Sequence, residues 1–407
     1  MKITDAGVTA PKGFMAAGVK AEIKYKNRLD MAMLYSKVPC VVAGTFTSNI
    51  VKAAPVKWDM NIVYNSEFAQ AVVINTGIAN AGTGKQGMEY CENEAKLTAK
   101  LLNIPESAVL VGSTGVIGNQ LNMERLEAGI NALVKELGET REHARTASKA
   151  IMTTDTKNKE ASAEIEIGGK KVTIGGMSKG SGMIHPNMCT MLGYVTTDIN
   201  IDKELLQKAL SEDVKDTFNM ITVDGDTSTN DTLLLFANGM AGNEKIVSED
   251  EDYKKFKEAL HYVNETLAKK MAADGEGAGK LVEVSVINAD DKEKARILAR
   301  SVAGSNLTKA AMFGNDSNFG RILCAMGYSG AKFDPDKVDI YYEAEGKKML
   351  IFSDGLKADY DEDEATKLLD HSEVRIIADM KEGDIEATAW GCDLTYDYVK
   401  INADYRS

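Results

Sequence analysis

KGSGMIHPNMCTML, residues 179–192, sets a threonine in mid-chain just after a Gly-rich, almost charge-free run. Inside a chain the Thr190 hydroxyl is a poor nucleophile, because no neighbouring group removes its proton. Breaking the Cys189–Thr190 bond would change that. Thr190 would gain an α-amine with pKa near ~8, within reach of its own hydroxyl and suited to general-base work at neutral pH. Read this way the stretch is a self-cleaving precursor site, in which Gly180 and Gly182 supply unusual backbone angles and Pro186 fixes the approach. Taken alone, it is more simply a Gly-rich turn leading into a buried strand, Met191–Thr197.

The chain around it has 407 residues, enough for two large units or one oversized α/β unit. Its net charge of −13, from 48 Lys+Arg against 61 Asp+Glu, argues against nucleic acid or an anionic membrane as partner, since both need a basic footprint. The opening MKITDAGVTAPKGF lacks an apolar signal core, and no later stretch approaches the ~18 apolar residues of a membrane span, so a cytoplasmic protein is expected. Five widely spaced cysteines with no C-x-x-C pair, and four histidines without ligand spacing, point to reduced thiols and no metal. His185 stands out only because it lies so close before Thr190.

Short β-branched or small apolar runs at Cys40–Thr45, Ala71–Asn75 and Val109–Gly112 predict strands, and helical spacing predicts helices over Met88–Leu102 and Met123–Leu137, the second stopped by Gly138. Gly168-Gly169 joins a hairpin of Glu164–Ile167 and Lys171–Ile174. Beyond Thr190 come helix Lys203–Lys215, strand Thr232–Phe236, helix Glu249–Ala273, strand Leu281–Asn288 and helix Lys292–Val302. Strands at Val338–Tyr342, Lys348–Phe352, Glu373–Asp379 and Asp384–Ala389 follow. No repeat and no low-complexity linker divides the chain. The alternation implies an α/β fold with helices outside stacked sheets.

Five clusters are candidates for chemistry. VGSTGVIG (111–118) ends a strand in small residues whose backbone N–H groups could converge on one point, as an oxyanion hole requires; an ordinary strand-to-turn junction explains it too. MTTDT (152–156) reads as a helix cap or turn unless its polar groups face a ligand. DGEGAGK (274–280) presents Glu276 between glycines, a carboxylate able to bind an amine. FGNDSNFGR (313–321) fits a ligand loop or a tight turn. The last stretch, WGCDLTYDYVKINADYRS (390–407), is too rich in Trp, Tyr and Ile for a frayed tail and is expected to dock. P-loop, dinucleotide-binding, serine-elbow and EF-hand registers are absent.

Together these segments resemble one family, the ornithine acetyltransferases of arginine biosynthesis. The resemblance runs through GVTAPKGF (7–14), AGTFTSN (43–49), STG (113–115), MTTDT, KGSGMIHPNMCTML, DGEGAGK, the FGNDSNFGR loop and the C-terminal stretch. It implies a fold similar to, but topologically distinct from, the N-terminal-nucleophile hydrolases. It also implies self-cleavage into an α chain, 1–189, and a β chain, 190–407, which remain together and pair into a heterotetramer. Thr190 would be the nucleophile, Thr114 and Gly115 the oxyanion hole, and Thr153, Lys179, Thr190, Glu276, Asn402 and Ser407 the substrate contacts. Substrates would be N2-acetylornithine and glutamate, with acetyl-CoA open as a second donor and no cofactor. Two positions depart from the family pattern: Cys189 replaces the usual Ala before the scissile bond, and GAGK replaces GATK. A threonine-nucleophile aminopeptidase or amidohydrolase, and a non-catalytic amino-acid-binding protein, are the alternatives.

Overall fold

In the computed structural model, residues 1–185 and 191–404 are described, which leaves Cys189, Thr190 and Ser407 outside. The chain packs as two units. One is built from 1–180, 191–217 and 227–267, the other from 181–185, 218–226 and 268–404. Among the described residues, no helix is long and apolar enough to cross a membrane.

The first unit carries strands β1 (Lys2–Thr4), β2 (Phe14–Val19), β3 (Met31–Phe46), β4 (Ala69–Ile78), β5 (Val109–Val116), β6 (Lys159–Ile167), β7 (Lys170–Lys179), β8 (Leu192–Thr197) and β9 (Thr232–Ala237). They pair in the order β1, β6, β7, β8, β9, β3, β4, β5, with β2 also on β3. The sixteen-residue β3 makes this possible. Its residues 31–36 pair with β2 and β4, its residues 41–46 pair with β9, and the register breaks between Tyr35 and Cys40. A break of this kind bends a strand and raises its twist.

The two halves of the sheet then face each other over one core, in which Leu34, Val72 and Ile74 meet Tyr194, Leu234 and Phe236. Gly112 on β5 leaves room for the Tyr194 ring, since a Cβ there would lie 2.2 Å from the Tyr194 hydroxyl oxygen. On the outer face, Val73 and Val111 pack with Ala95, Ala99, Leu126 and Ile130 of helices Gly84–Leu102 and Met123–Glu136. Helix Glu251–Ala273 covers the other outside, with Val263 and Leu267 against Gly176 of β7. Helix, sheet, sheet, helix is the stacked α/β arrangement expected. With both faces covered, β4 is buried at every position, which is why its sequence reads as an apolar run with no alternation.

The second unit carries β10 (Leu281–Ala289), β11 (Asp339–Ala344), β12 (Lys347–Ser353), β13 (Leu356–Lys357), β14 (Glu373–Asp379) and β15 (Ile385–Cys392), paired in the order β13, β12, β11, β14, β10, β15. Strands β10 and β14 run parallel and the other described strand pairs of this sheet antiparallel, and helix Lys292–Gly304 packs on β10 and β15. Lys280 ties the ends of two helices, its ammonium donating to the Met312 carbonyl at 3.0 Å and the Leu369 carbonyl at 2.6 Å. A cation there complements both negative helix ends.

Three sequence expectations change. Gly138 is not a left-handed helix stop; its N–H and C=O instead pair with Ala16, so the glycine belongs to a β-bridge. Strand β5 does not end before the STG triplet but runs through it to Val116. Helices Ala54–Asn65, Arg141–Ala150 and Asn306–Phe313 were not expected.

Beneath β5, helix Gly84–Leu102 buries Glu94, both of whose oxygens lack a hydrogen-bond partner among the described residues. Burial pushes its carboxyl up to about 8. Asp59, which accepts the Val111 N–H at 2.8 Å, is also pushed up by burial, with the Glu94 charge adding to the effect. A raised carboxyl is protonated in the fold where the unfolded chain is ionised. Its contribution is therefore full below the unfolded value near ~4.3 and lost as pH rises through about 8. Glu94→Gln should raise the thermal midpoint more at about pH 9 than at about pH 5. Equal midpoints for variant and wild type at the higher pH would show that Glu94 carries no such proton.

Candidate functional site

The pairing of β4 with β5 is parallel from Ala71↔Val109 to Gly77↔Gly115, and the register then shifts at Gly77/Ile78. Gly115 has φ +134° and Gly77 φ +100°, so both lie where side chains are disfavoured. A Cβ on Gly115 would stand 2.2 Å from the Gly77 carbonyl carbon, far inside van der Waals contact. Side-chain amides brace this crossing. Ser113 Oγ donates to Asn75 Oδ1 at 2.7 Å, and Asn75 Nδ2 donates to the Ile78 carbonyl at 2.9 Å. Asn230 Nδ2 donates to the carbonyls of Ala79 at 2.6 Å and Ser113 at 2.8 Å. Thr114 and Gly115 are left half-buried at a rigid strand end. Fixed backbone there is what a hole for developing negative charge needs, since its donors cost no reorganisation during reaction.

Lys179, the last residue of β7, is buried and donates from Nζ to Thr114 Oγ1 at 3.4 Å. Leu192 stands directly across from it in the β7–β8 register. Behind Lys179 lies Asp155, inside the MTTDT cluster but not among the expected substrate contacts. Its Oδ1 accepts Lys159 Nζ at 2.6 Å and the Gly180 N–H at 2.8 Å, and its Oδ2 accepts the Thr153 N–H at 2.9 Å. Burial works to raise the Asp155 pKa, but the Lys179 and Lys159 charges and these hydrogen bonds outweigh it and hold the carboxyl well below the usual range. Arg28 completes the turn, donating from Nη2 to the Met152 carbonyl at 2.5 Å and the Thr153 carbonyl at 2.6 Å. Beside it opens a cavity of about 380 Å³ with Arg28, Thr153 and Asp155 in its lining.

In the second unit Glu276 is buried and accepts Asn402 Nδ2 at 2.8 Å. Its carboxylate presses on Gly182, where a Cβ would lie 2.3 Å from Oε2. The Glu276 N–H reaches the Ser181 carbonyl at 2.9 Å, and Ser181 Oγ donates to the Asp274 carbonyl at 2.7 Å. Asp224 accepts the N–H groups of Met183 at 2.6 Å and Ile184 at 2.9 Å. The expectation for the glycines is corrected here. Neither Gly180 nor Gly182 has positive φ; Met183 does, at +55°, and Gly182 is needed instead for the close approach of Glu276. His185 Nδ1 pairs with Thr222 Oγ1 at 3.0 Å, and Arg300 Nη2 faces its Nε2 at 3.4 Å. Burial and the Arg300 charge both push its pKa down, which keeps the imidazole neutral.

The C-terminal helix Tyr396–Ala403 docks by hydrogen bonds and not by aromatic burial. None of its residues is buried and Tyr396 is 84% exposed, while Thr395 at its start donates to the Gly277 carbonyl at 2.7 Å. The FGNDSNFGR segment is a turn between helices Asn306–Phe313 and Phe319–Gly327, capped by Asn318.

Thr114, Gly115, Thr153 and Lys179 thus come together in the first unit, and Glu276 and Asn402 in the second. Thr190, Cys189 and Ser407 lie outside the described residues. Asp155, Asn75, Asn230 and Asp224 were missed. Asp155 lies inside MTTDT and Asp224 opens the stretch DGDTSTND (224–231), but their partners Gly180, Met183 and Ile184 are distant in sequence, and only the fold supplies them. Among the described residues, no group of three His, Cys, Asp or Glu side chains stands together as a metal cage.

Comparison with known proteins bears on what these residues serve. The profile of the ArgJ family matches residues 15–407. The chain is 50% identical over 398 residues to the arginine biosynthesis bifunctional protein ArgJ of Thermotoga neapolitana, covering 98% of this chain and 99% of that one. It is 52% identical over 403 residues to the protein of the same name from Symbiobacterium thermophilum, covering 98% of each. A crystal structure of the Bacillus halodurans arginine biosynthesis bifunctional protein is 45% identical over 52% of this chain and 97% of that chain, with a TM-score of 0.49.

The glycine crossing can be tested directly. Gly115→Ala should cost on the order of 3 kcal/mol, because neither the backbone angle nor the space admits a Cβ. Hydrogen exchange should show the loss centred on β4 and β5. A variant with wild-type stability and exchange would mean that the crossing relaxes freely.

Proposed function

We infer the function from the family, for this chain belongs to the ArgJ family, and we read it as an acetyltransferase that moves acetyl from N2-acetylornithine to glutamate. The observation that carries the reading onto this chain is the grouping of Lys179 with Thr114, at 3.4 Å, with Leu192 opposite Lys179 and only two residues beyond Thr190.

In this mechanism the chain first cleaves between Cys189 and Thr190, one water adding across the peptide bond so that Cys189 keeps a carboxylate and Thr190 a free α-amine. The new α-amine takes the Thr190 hydroxyl proton, and Oγ attacks the acetamide carbonyl carbon. Thr114 and Gly115 hold the resulting oxyanion; removing one such donor typically costs about 10²–10³ in kcat. The carbon–nitrogen bond breaks as the amine passes its proton to the departing ornithine nitrogen. The glutamate amine then attacks the acetyl ester, and the released Thr190 oxygen recovers a proton. Lys179 pairs with the α-carboxylate common to both substrates, with Thr153 beside it. Glu276, steadied by Asn402, holds an amine, and Ser407 is a further substrate contact. Acetyl-CoA would enter as an alternative donor to the same threonine. The fragments 1–189 and 190–407 stay associated, two of each forming the assembly.

Incubation with N-acetylornithine, with and without glutamate, separates the readings. Acetylglutamate supports transfer, acetate alone supports a hydrolase, and no product leaves amino-acid binding. Thr190→Ala should remain one 44.0 kDa chain and be inactive. Thr190→Ser should still cleave, more slowly, because the hydroxyl remains while the methyl that restricts χ1 is gone. Cys189→Ala should be tolerated. An active, cleaved Thr190→Ala would sink the threonine mechanism, and loss of both processes in Cys189→Ala would move attention to the thiol.

A further inference from the structure

Asp155 makes no substrate contact in the mechanism above, yet two of the residues that do, Thr153 and Lys179, are arranged around it. Its side chain is fully enclosed, as is that of Lys159, its closest ionic partner at 2.6 Å. Lys159 has a second acceptor in the Lys157 carbonyl at 3.2 Å. Of the charges around Asp155, the Lys179 ammonium does most to keep it ionised. Arg28, Lys149 and Lys157 line the adjoining cavity, so cationic side chains gather on this side of the turn. The carboxylate is also a backbone clamp, joining the Thr153 N–H to the Gly180 N–H across 27 residues of chain.

We propose that Asp155 is the positioning residue of the substrate site: it fixes Thr153 and Gly180 through their N–H groups and aims Lys179, so that the lysine reaches the α-carboxylate of an amino-acid substrate while keeping its contact with Thr114. The assignment rests on the reading that amino acids bind here. It differs from a structural ion pair with Lys159, which would stabilise the turn without affecting how a carboxylate is recognised.

The test is the ratio of affinities for ornithine and for its α-amide, measured by titration calorimetry on the full-length protein; such a ratio does not depend on how much of a variant folds. The wild type should prefer ornithine by roughly tenfold or more, the size expected of one charge-assisted contact. Asp155→Asn keeps the volume but turns an N–H toward a donor, and should bring the ratio close to one. Lys159→Met removes the ion pair and leaves Asp155 with Lys179, and should keep the ratio. Equal loss in both variants, or no loss in Asp155→Asn, overturns the assignment. If Asp155→Asn does not accumulate, Lys159→Met decides: a retained preference supports the assignment and a collapsed one overturns it. Absence of acetylglutamate with ornithine preference intact would instead defeat the transferase reading. A wild type that binds both ligands equally would defeat the positioning role alone.

Discussion

Everything at the first unit's site depends on two backbones crossing where neither has a side chain. Gly77 and Gly115 meet near the ends of β4 and β5 with positive φ and no room for a Cβ, and this local demand sets the backbone on which Thr114 sits. Glycine takes these angles without strain where any other residue would be strained, so what holds the crossing in place is its surroundings. Here the surroundings are the buried amides of Asn75 and Asn230, one from β4 itself and one from the approach to β9. Three separated stretches thus hold two residues still.

The charge distribution works against the chain's overall sign. A protein with a net charge of −13 would repel carboxylate ligands at long range. Around Asp155 the cations Lys159 and Lys179 gather beside one buried carboxylate. Lys159 and Lys179 are buried, so salt screens them far less than it screens the acidic surface.

The sequence made the sheet strands and the longer helices legible because their apolar periodicity is local. It placed β4 and β5 and the main helices within a few residues. It failed where tertiary partners decide. The Gly138 bridge to Ala16, the left-handed Met183 and the passage of β5 through STG each answer to a neighbour distant in the chain. The site divides in the same way. Thr114, Lys179 and Glu276 were visible inside unusual motifs, whereas Asp155 looked like a cap until the fold brought Gly180 and Lys159 onto it. Asn75 and Asn230 carry no local signal at all, since an asparagine in or near a strand has many ordinary uses.

The order of the first sheet has a bearing on how the molecule is manufactured. Strands β8 and β9 follow residue 190 in the chain, yet β8 is joined to β7 and β9 to β3, with six residue pairs along each seam. A peptide bond lost at residue 190 would open no seam, because hydrogen bonds between strands replace the missing covalent link. Two halves translated separately would begin with raw edges instead, β7 and β3 on one polypeptide, β8 and β9 on the other, each a template for wrong pairing. Under the proposed cleavage, continuity of the chain would matter while these seams form and less once they are closed, and the uncut chain would act as its own scaffold.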